Sequence, residues 1–205
     1  MIRRLIILLL IVGCGTQQKD ITYQFTSLKN SINKLINHDE FTNRWSKFDI
    51  DVRLNKQNGT KNELFQYIST QVLQWSESEK IKVDSVMQSI NNDIKHLTLK
   101  IDCPETIFFI KTTGEEEGNA TGYTRSSSLI LNDETLLWEF QELKNTIIHE
   151  LFHIISRNNL SFRERMYEVI GFKVIEEISF PQSLIDIKVT NPDAPMINSY
   201  INLSN

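Results

Sequence analysis

Apolar and polar positions follow two different rhythms along the chain, helical on both flanks and β-like in a short middle. A helix is predicted over Phe25 to Ile36, followed by aromatic-rich segments around Phe41, Trp45 and Phe48. Thr60 precedes Glu63 by three residues, and Ser76 precedes Glu79 by three. Both pairs have capping-box spacing, in which the hydroxyl accepts the third backbone N–H and the carboxylate reaches back to the cap. Two helices are expected from these starts, running to about Trp75 and His96 and packing as a helical N-terminal layer.

After His96 the pattern changes. Leu97 to Ile101 alternates with period two, and Ile107 to Lys111 is short, apolar and β-prone, so both read as strands. The Gly-rich acidic stretch Thr112 to Ala120 reads as a solvated loop. Thr121 to Leu131 reads as one further strand, with Asn132 and Asp133 able to cap the next helix. That helix is long and amphipathic and extends to Arg157. After a turn at Asn158 to Leu160, a second helix opens at Ser161 and closes at Gly171. A short strand and a tail punctuated by Pro181, Pro192 and Pro195 complete the chain. The expected class is α+β, with a small mixed sheet.

Composition narrows the picture. With 205 residues, 40% of them hydrophobic, the chain is long enough for one domain with a real core. A net charge of −4 without a basic stripe argues against nucleic acid as a partner. Met1 to Arg4 is basic and Leu5 to Val12 is an unbroken apolar run, too short to span a bilayer but suited to a signal peptide over residues 1–13. Ile11-Val12-Gly13-Cys14 resembles a bacterial lipobox, which makes Cys14 the expected lipidation site and membrane anchor. Residues 14–20 then form a tether and 21–205 a single domain, in an exported lipoprotein of the cell envelope. Cys103 is left as the one other thiol, expected to be buried near a strand end and without chemistry.

Candidate chemistry lies in His149-Glu150-Leu151-Phe152-His153. Histidines four apart stand one turn above each other on a helix, so both imidazoles can converge on one ion. Neutral imidazoles suit Zn²⁺. Glu150 between them is placed to take a proton from water at the open coordination position and pass it to a leaving amine. Phe140, Leu143, Ile147, Leu151, Ile154 and Ile155 form a broad apolar arc, leaving the two histidines on the polar side. His38 and His96 lack metal-like spacing and read as surface residues.

A catalytic zinc site needs a third protein ligand. No histidine follows His153, so a glutamate is expected, from Glu164, Glu168, Glu176 or Glu177. At 1.5 Å per residue, a helix returning after the turn brings Glu164 back near the level of His153 and Glu168 near His149. That geometry favours Glu164, then Glu168, although Ser161 and Glu164 also have capping-box spacing.

The segments HELFHIISR (His149 to Arg157), YEVIGF (Tyr167 to Phe172), TNPDAP (Thr190 to Pro195) and KTTGEEEGNATGYTR (Lys111 to Arg125) resemble a family of bacterial secreted and lipoprotein HExxH proteins. The resemblance implies a zincin-like, gluzincin-like metallopeptidase. It also implies a C-terminal portion beyond Asn205, because relatives continue past the TNPDAP segment. Zincins set an edge strand just upstream of the metal helix for an extended peptide to pair with, the place of Thr121 to Leu131. Tyr167 is the first choice as donor to the tetrahedral oxyanion, with Tyr123 and Arg125 behind it. The expected function is zinc-dependent hydrolysis of a peptide or protein at the envelope. The alternatives are a non-catalytic metal- or partner-binding lipoprotein of the same fold, and hydrolysis of a non-peptide amide by the same chemistry.

Overall fold

The computed structural model describes residues 19–96 and 102–201. The signal peptide, Cys14, most of the tether and the strand expected at Leu97 to Ile101 lie outside the described residues. Those described form an α+β fold of seven helices and a mixed five-stranded sheet. None of these helices is long and apolar enough to cross a membrane.

Strand β1 (Tyr23–Phe25) leads into helix α1 (Leu28–Leu35), shorter than predicted because the Ser27 side chain caps it. Helices α2 (Lys47–Leu54), α3 (Lys61–Gln71) and α4 (Glu77–Lys95) each open on a capping box, at Ser46/Asp49, Thr60/Glu63 and Ser76/Glu79. The short strand β2 (Val72–Leu73) separates α3 from α4. Strand β3 (Ile107–Thr112) comes next, then β4 (Gly122–Arg125) and β5 (Ser128–Asn132). The single strand expected over Thr121 to Leu131 is therefore a hairpin, reversed at Ser126, whose φ of 51° lies in the left-handed region. The sheet order is β1-β3-β5-β4, with β1, β3 and β5 parallel, β4 antiparallel at the edge, and β2 pairing antiparallel with β3.

Successive strand residues face opposite sides of a sheet, and both sides here are covered. Phe109, Leu129 and Leu131 pack with Val83, Met87 and Ile90 of α4 and with Leu143, Ile147, Leu151 and Ile154 further on. Ile110, Ile130 and Tyr123 pack with Leu35 of α1 and with Leu64 and Ile68 of α3. The two capping-box helices predicted to share one layer thus lie on opposite faces. β2 pairs with the sheet between them and carries the chain from one face to the other.

The acidic stretch is not a solvated loop. Gly114 and Gly118 adopt left-handed φ values of 83° and 67° and turn a 3-10 helix (Glu115–Glu117) inward. Glu116 is buried and accepts a hydrogen bond from the Tyr123 hydroxyl, while Glu117 pairs with Arg53. Two carboxylates that composition assigns to water thus belong to the interior.

Helix α5 (Phe140–Asn158) carries the HExxH motif. Leu143, Ile147, Leu151, Ile154 and Ile155 of its predicted arc are buried, and Phe140 at its start is exposed. Asn132 does not cap this helix: its side chain accepts from Thr135 N, opening an intervening 3-10 helix (Thr135–Leu137). Helix α6 (Leu160–Val169) is capped by Asn159, which accepts from Phe162 N at 2.9 Å. It therefore starts ahead of Ser161, and Gly171 (φ 85°) stands just past its C-terminus as predicted. Strands β6 (Phe172–Val174) and β7 (Ser199–Ile201) form a separate antiparallel pair around α7 (Gln182–Ile185) and the proline-bearing tail.

Candidate metal centre

Four residues apart on α5, His149 and His153 bring their Nε2 atoms to 3.0 Å. That is an N–H···N hydrogen-bond length. It is also within a few tenths of an ångström of the roughly 3.3 Å separating two nitrogen ligands at 2.0–2.1 Å from a tetrahedral ion. His149 is exposed and His153 half-buried. Burial pushes the His153 imidazole down to about 4, so it is neutral and carries a free lone pair at physiological pH.

Glu150, the next residue after His149, is only 4% exposed. Edge strand β4 makes room for it. A β-carbon on Gly122 would stand 3.3 Å from Glu150 Cγ and 3.4 Å from Oε1, so glycine at this position allows the strand and the carboxylate to approach closely. Glu150 Oε2 is buried and has no hydrogen-bond partner among the described residues. Burial, together with the negative charge of Asp193 and a hydrogen bond to it, raises this carboxyl to about 8 against the opposing charge of Arg157.

Asp193 is the residue that sequence reasoning missed. Glu150, His153 and Asp193 each offer a ligand atom, all within 4.8 Å of one another, and this group can hold a metal ion. His149 lies outside this group and touches it at His153, Nε2 to Nε2. The Asp193 side chain is oriented by Thr124, whose N donates to Oδ1 at 2.6 Å and whose Oγ1 donates to it at 2.7 Å, and its carboxylate also lies within hydrogen-bonding reach of the Glu150 carboxyl. Arg157, one turn beyond His153, donates to Thr124 Oγ1 at 2.8 Å, to the Asp193 carbonyl at 2.7 Å and to the Ser126 carbonyl at 3.0 Å. A partner that fixes one oxygen of a carboxylate leaves the other for an ion, as outer-shell groups do in metal sites.

No protein family, curated protein or solved structure matches the chain. The site is therefore read from its own residues. An orphaned carboxylate oxygen, two convergent imidazoles and a second carboxylate fit zinc. Calcium and magnesium favour all-oxygen sets.

The four glutamates proposed as third ligand are not in this group. Phe162 and Met166 form the buried face of α6, and Phe162 packs on Phe152 of α5 with ring centroids 5.9 Å apart. Glu164 and Glu168 follow those two by two residues each, about 200° round the helix, and both are exposed. The Asn159 cap sets this register, and it turns both carboxylates away from α5. Glu177 is paired with Arg44 at 2.7 Å. Glu164 and Glu176 instead line a cavity of about 600 Å³ that Asp193 and Arg157 also border.

Tyr167 lines the same cavity, half-buried, with its ring beneath the Arg163 guanidinium at 5.2 Å. The other two oxyanion candidates are committed elsewhere: the Tyr123 hydroxyl to Glu116, and Arg125 to Asp39 and the carbonyls of Leu35 and Asn37. Cys103 is half-buried, with burial pushing its thiol up to about 11. His38 and His96 are exposed, as expected.

Asp193 was visible in one respect. It stands between Pro192 and Pro195 in TNPDAP, and a carboxylate bracketed by prolines is one whose backbone is stiff enough to present it.

Proposed function

We propose that the protein is a zinc-dependent hydrolase acting on peptide bonds, with His149, His153 and Asp193 as metal ligands and Glu150 as the general base. The observation that carries this reading is the buried Glu150 Oε2 without a partner among the described residues, facing a neutral His153 and an oriented Asp193 carboxylate. A zinc ion would supply Lewis-acid polarisation of the scissile carbonyl and a more acidic water. With a cation in the site favouring its ionised form over the raised value of about 8, Glu150 would take the proton of the attacking water and return it to the leaving nitrogen. Gly122 sets how closely β4 approaches Glu150, at Cγ and Oε1. Arg157, through Thr124, holds Asp193 in position and adds positive charge beside the reacting groups. Tyr167 is the hydroxyl that lines the adjoining cavity, and we keep it as the oxyanion donor. The N-terminal lipobox-like motif supports an activity at the cell envelope.

The test compares wild type with Glu150→Gln. Both should bind about one zinc per chain. Hydrolysis of a mixed peptide library, read by mass spectrometry, should fall by roughly 10²–10⁴-fold in the variant, the usual scale of general acid–base catalysis. Equal hydrolysis in both proteins would remove Glu150 as the base, and wild type without zinc would remove the reading altogether.

One observation favours the second reading, a metal-binding protein without turnover. Asp193 takes the Thr124 N–H of the edge strand, a group that an extended substrate would use. Stoichiometric zinc with no cleavage across the library would support it.

A further inference from the structure

Asp193 lies in the stretch between α7, which ends at Ile185, and β7, which begins at Ser199. It belongs to no helix or strand, and beyond its direct bonds to Thr124 and Arg157 the stretch that carries it must be fixed as well, because a metal ligand is placed to within a few tenths of an ångström. The hydrogen bonds that hold this stretch gather at Thr190, which is 2% exposed. Its N–H donates to Asp49 Oδ1 at 2.8 Å, and its hydroxyl lies 2.9 Å from Asp49 Oδ2. Its carbonyl accepts from Arg53 Nη2 at 2.9 Å. Two residues earlier, the Lys188 carbonyl accepts from Ser46 Oγ at 2.8 Å.

The receiving site is a buried ion cluster on α2. Arg53 contacts Asp49 Oδ1 at 2.5 Å and Glu117 Oε2 at 2.8 Å, and all three side chains are almost entirely withdrawn from solvent. Two carboxyl groups share one guanidinium, which cannot fill the acceptor positions of both, and burial pushes the Glu117 carboxyl up to about 7. A buried carboxylate without enough donors is costly. The Thr190 N–H completes Asp49 Oδ1, and the Thr190 hydroxyl proton serves either Asp49 Oδ2, which also accepts from Ser46 N, or the Arg44 carbonyl at 3.1 Å, so backbone and side chain both tie this residue to α2. The cluster therefore holds the tail at this residue rather than merely tolerating it.

Thr190 is three residues from Asp193, and the link is short and stiff. Pro192 fixes its own φ, and the Asn191 side chain accepts from Asp193 N at 2.9 Å, closing an Asx turn. A displacement at Thr190 is therefore carried to the Asp193 carboxylate.

We infer that Thr190 is a positioning residue for metal binding: seated on the Asp49–Arg53–Glu117 cluster, it fixes the turn that presents Asp193 and so sets the affinity of the site that Asp193 forms with His149 and His153. The inference rests on the proposed role of Asp193 as a ligand. It gives the cluster, on the far side of the fold from α4 and most of the α5 core face, a function beyond stability.

The experiment measures zinc affinity by competition with a chromophoric chelator, and apo melting temperature, for wild type, Thr190→Ser, Thr190→Val and Asp193→Asn. Ser keeps the hydroxyl and loses the methyl group, whereas Val keeps the volume and loses the hydroxyl. Zinc affinity should stay within about twofold of wild type for Ser and weaken about tenfold for Val, the lower end of the range for groups that support ligands. A packing role predicts the reverse order. If Thr190→Val does not fold, Thr190→Ala, which cannot overpack the site, takes its place. Wild-type affinity in Thr190→Val alongside loss of zinc in Asp193→Asn would overturn the positioning role and leave Asp193 as a ligand. Zinc bound equally well by Asp193→Asn would overturn both.

Discussion

Gly122→Ala separates the geometry of Glu150 from everything else the fold does. The new β-carbon would meet Glu150 Cγ at 3.3 Å, and Glu150 Oε1 and the Ile130 carbonyl at 3.4 Å. Comfortable carbon–carbon contact begins at about 3.5 Å, so the shortfall is a few tenths of an ångström. Glu150 is 4% exposed and cannot swing out to solvent to relieve it. The carboxylate must shift by about the same amount. A misplacement of about 1 Å can cost on the order of 10²-fold in rate, so a few tenths should cost about 5- to 10-fold.

Stability should behave differently. The φ of Gly122 is not in the left-handed region, and replacing a strand glycine by alanine stabilises by about 0.5–1 kcal/mol through the unfolded chain. That gain roughly offsets the tight contact, and the melting temperature should move by no more than a few degrees. Zinc content should be unchanged, because no ligand is altered. The assay is therefore threefold: thermal melt, metal content, and initial rates on a cleaved library peptide. Full zinc, an unchanged melt and wild-type rates together would refute the claim that the approach of β4 positions the base. Gly122→Val, with two further carbons, should lower the rate more steeply.

The same geometry sets two further outcomes. Arg157→Lys keeps the charge but loses the planar fork that serves Thr124, Asp193 and Ser126 together. Zinc affinity should fall about tenfold and stability by about 1–2 kcal/mol, read by chelator competition and urea unfolding; unchanged zinc affinity would show that Asp193 does not need this support. Cys103, pushed up to about 11 by burial, is almost wholly protonated at pH 8. Its alkylation there should be on the order of 100-fold slower in the native protein than in urea, where a free thiol near 8.5 is about one quarter thiolate. Rapid native labelling would contradict the burial described for it.

What the chain spells out locally, the structure repeats. The capping boxes at Thr60 and Ser76, the strand from Ile107, the apolar arc of α5 and the convergence of His149 and His153 all depend on residues within a few positions of one another. The failures are of longer range. The side of the sheet taken by α4 depends on a two-residue strand that periodicity cannot register. The acidic stretch turns inward because Arg53, 64 residues before Glu117, and Tyr123, 7 residues after Glu116, receive its carboxylates. Helix rise alone favours Glu164 but does not say which side of the returning helix faces α5, and Phe162 and Met166 take that side. Glutamates near the motif are the local candidates, whereas Asp193 arrives from 40 residues beyond His153 through contacts made by a remote helix.

The tail that supplies Asp193 also restricts how a substrate can lie. In an antiparallel strand, the peptide groups of alternate residues point to the same side. Tyr123 and Arg125 pair inward with β5, which leaves the groups of Gly122 and Thr124 on the open edge. Asp193 has taken the Thr124 N–H, so an extended chain docking beside β4 meets a free edge only around Gly122, the residue packed on Glu150. On our reading these two constraints are one design. The carboxylate that completes the metal site blocks one end of the strand, and the glycine that admits the base marks the other, so a scissile bond is delivered at Glu150 rather than slid past it. Binding of a non-hydrolysable peptide should then protect the Gly122 amide from hydrogen exchange and leave the already protected Thr124 amide unchanged. Exposure of the Thr124 amide on peptide binding would mean that the tail gives way to substrate, and that Asp193 is a displaceable cap rather than a ligand.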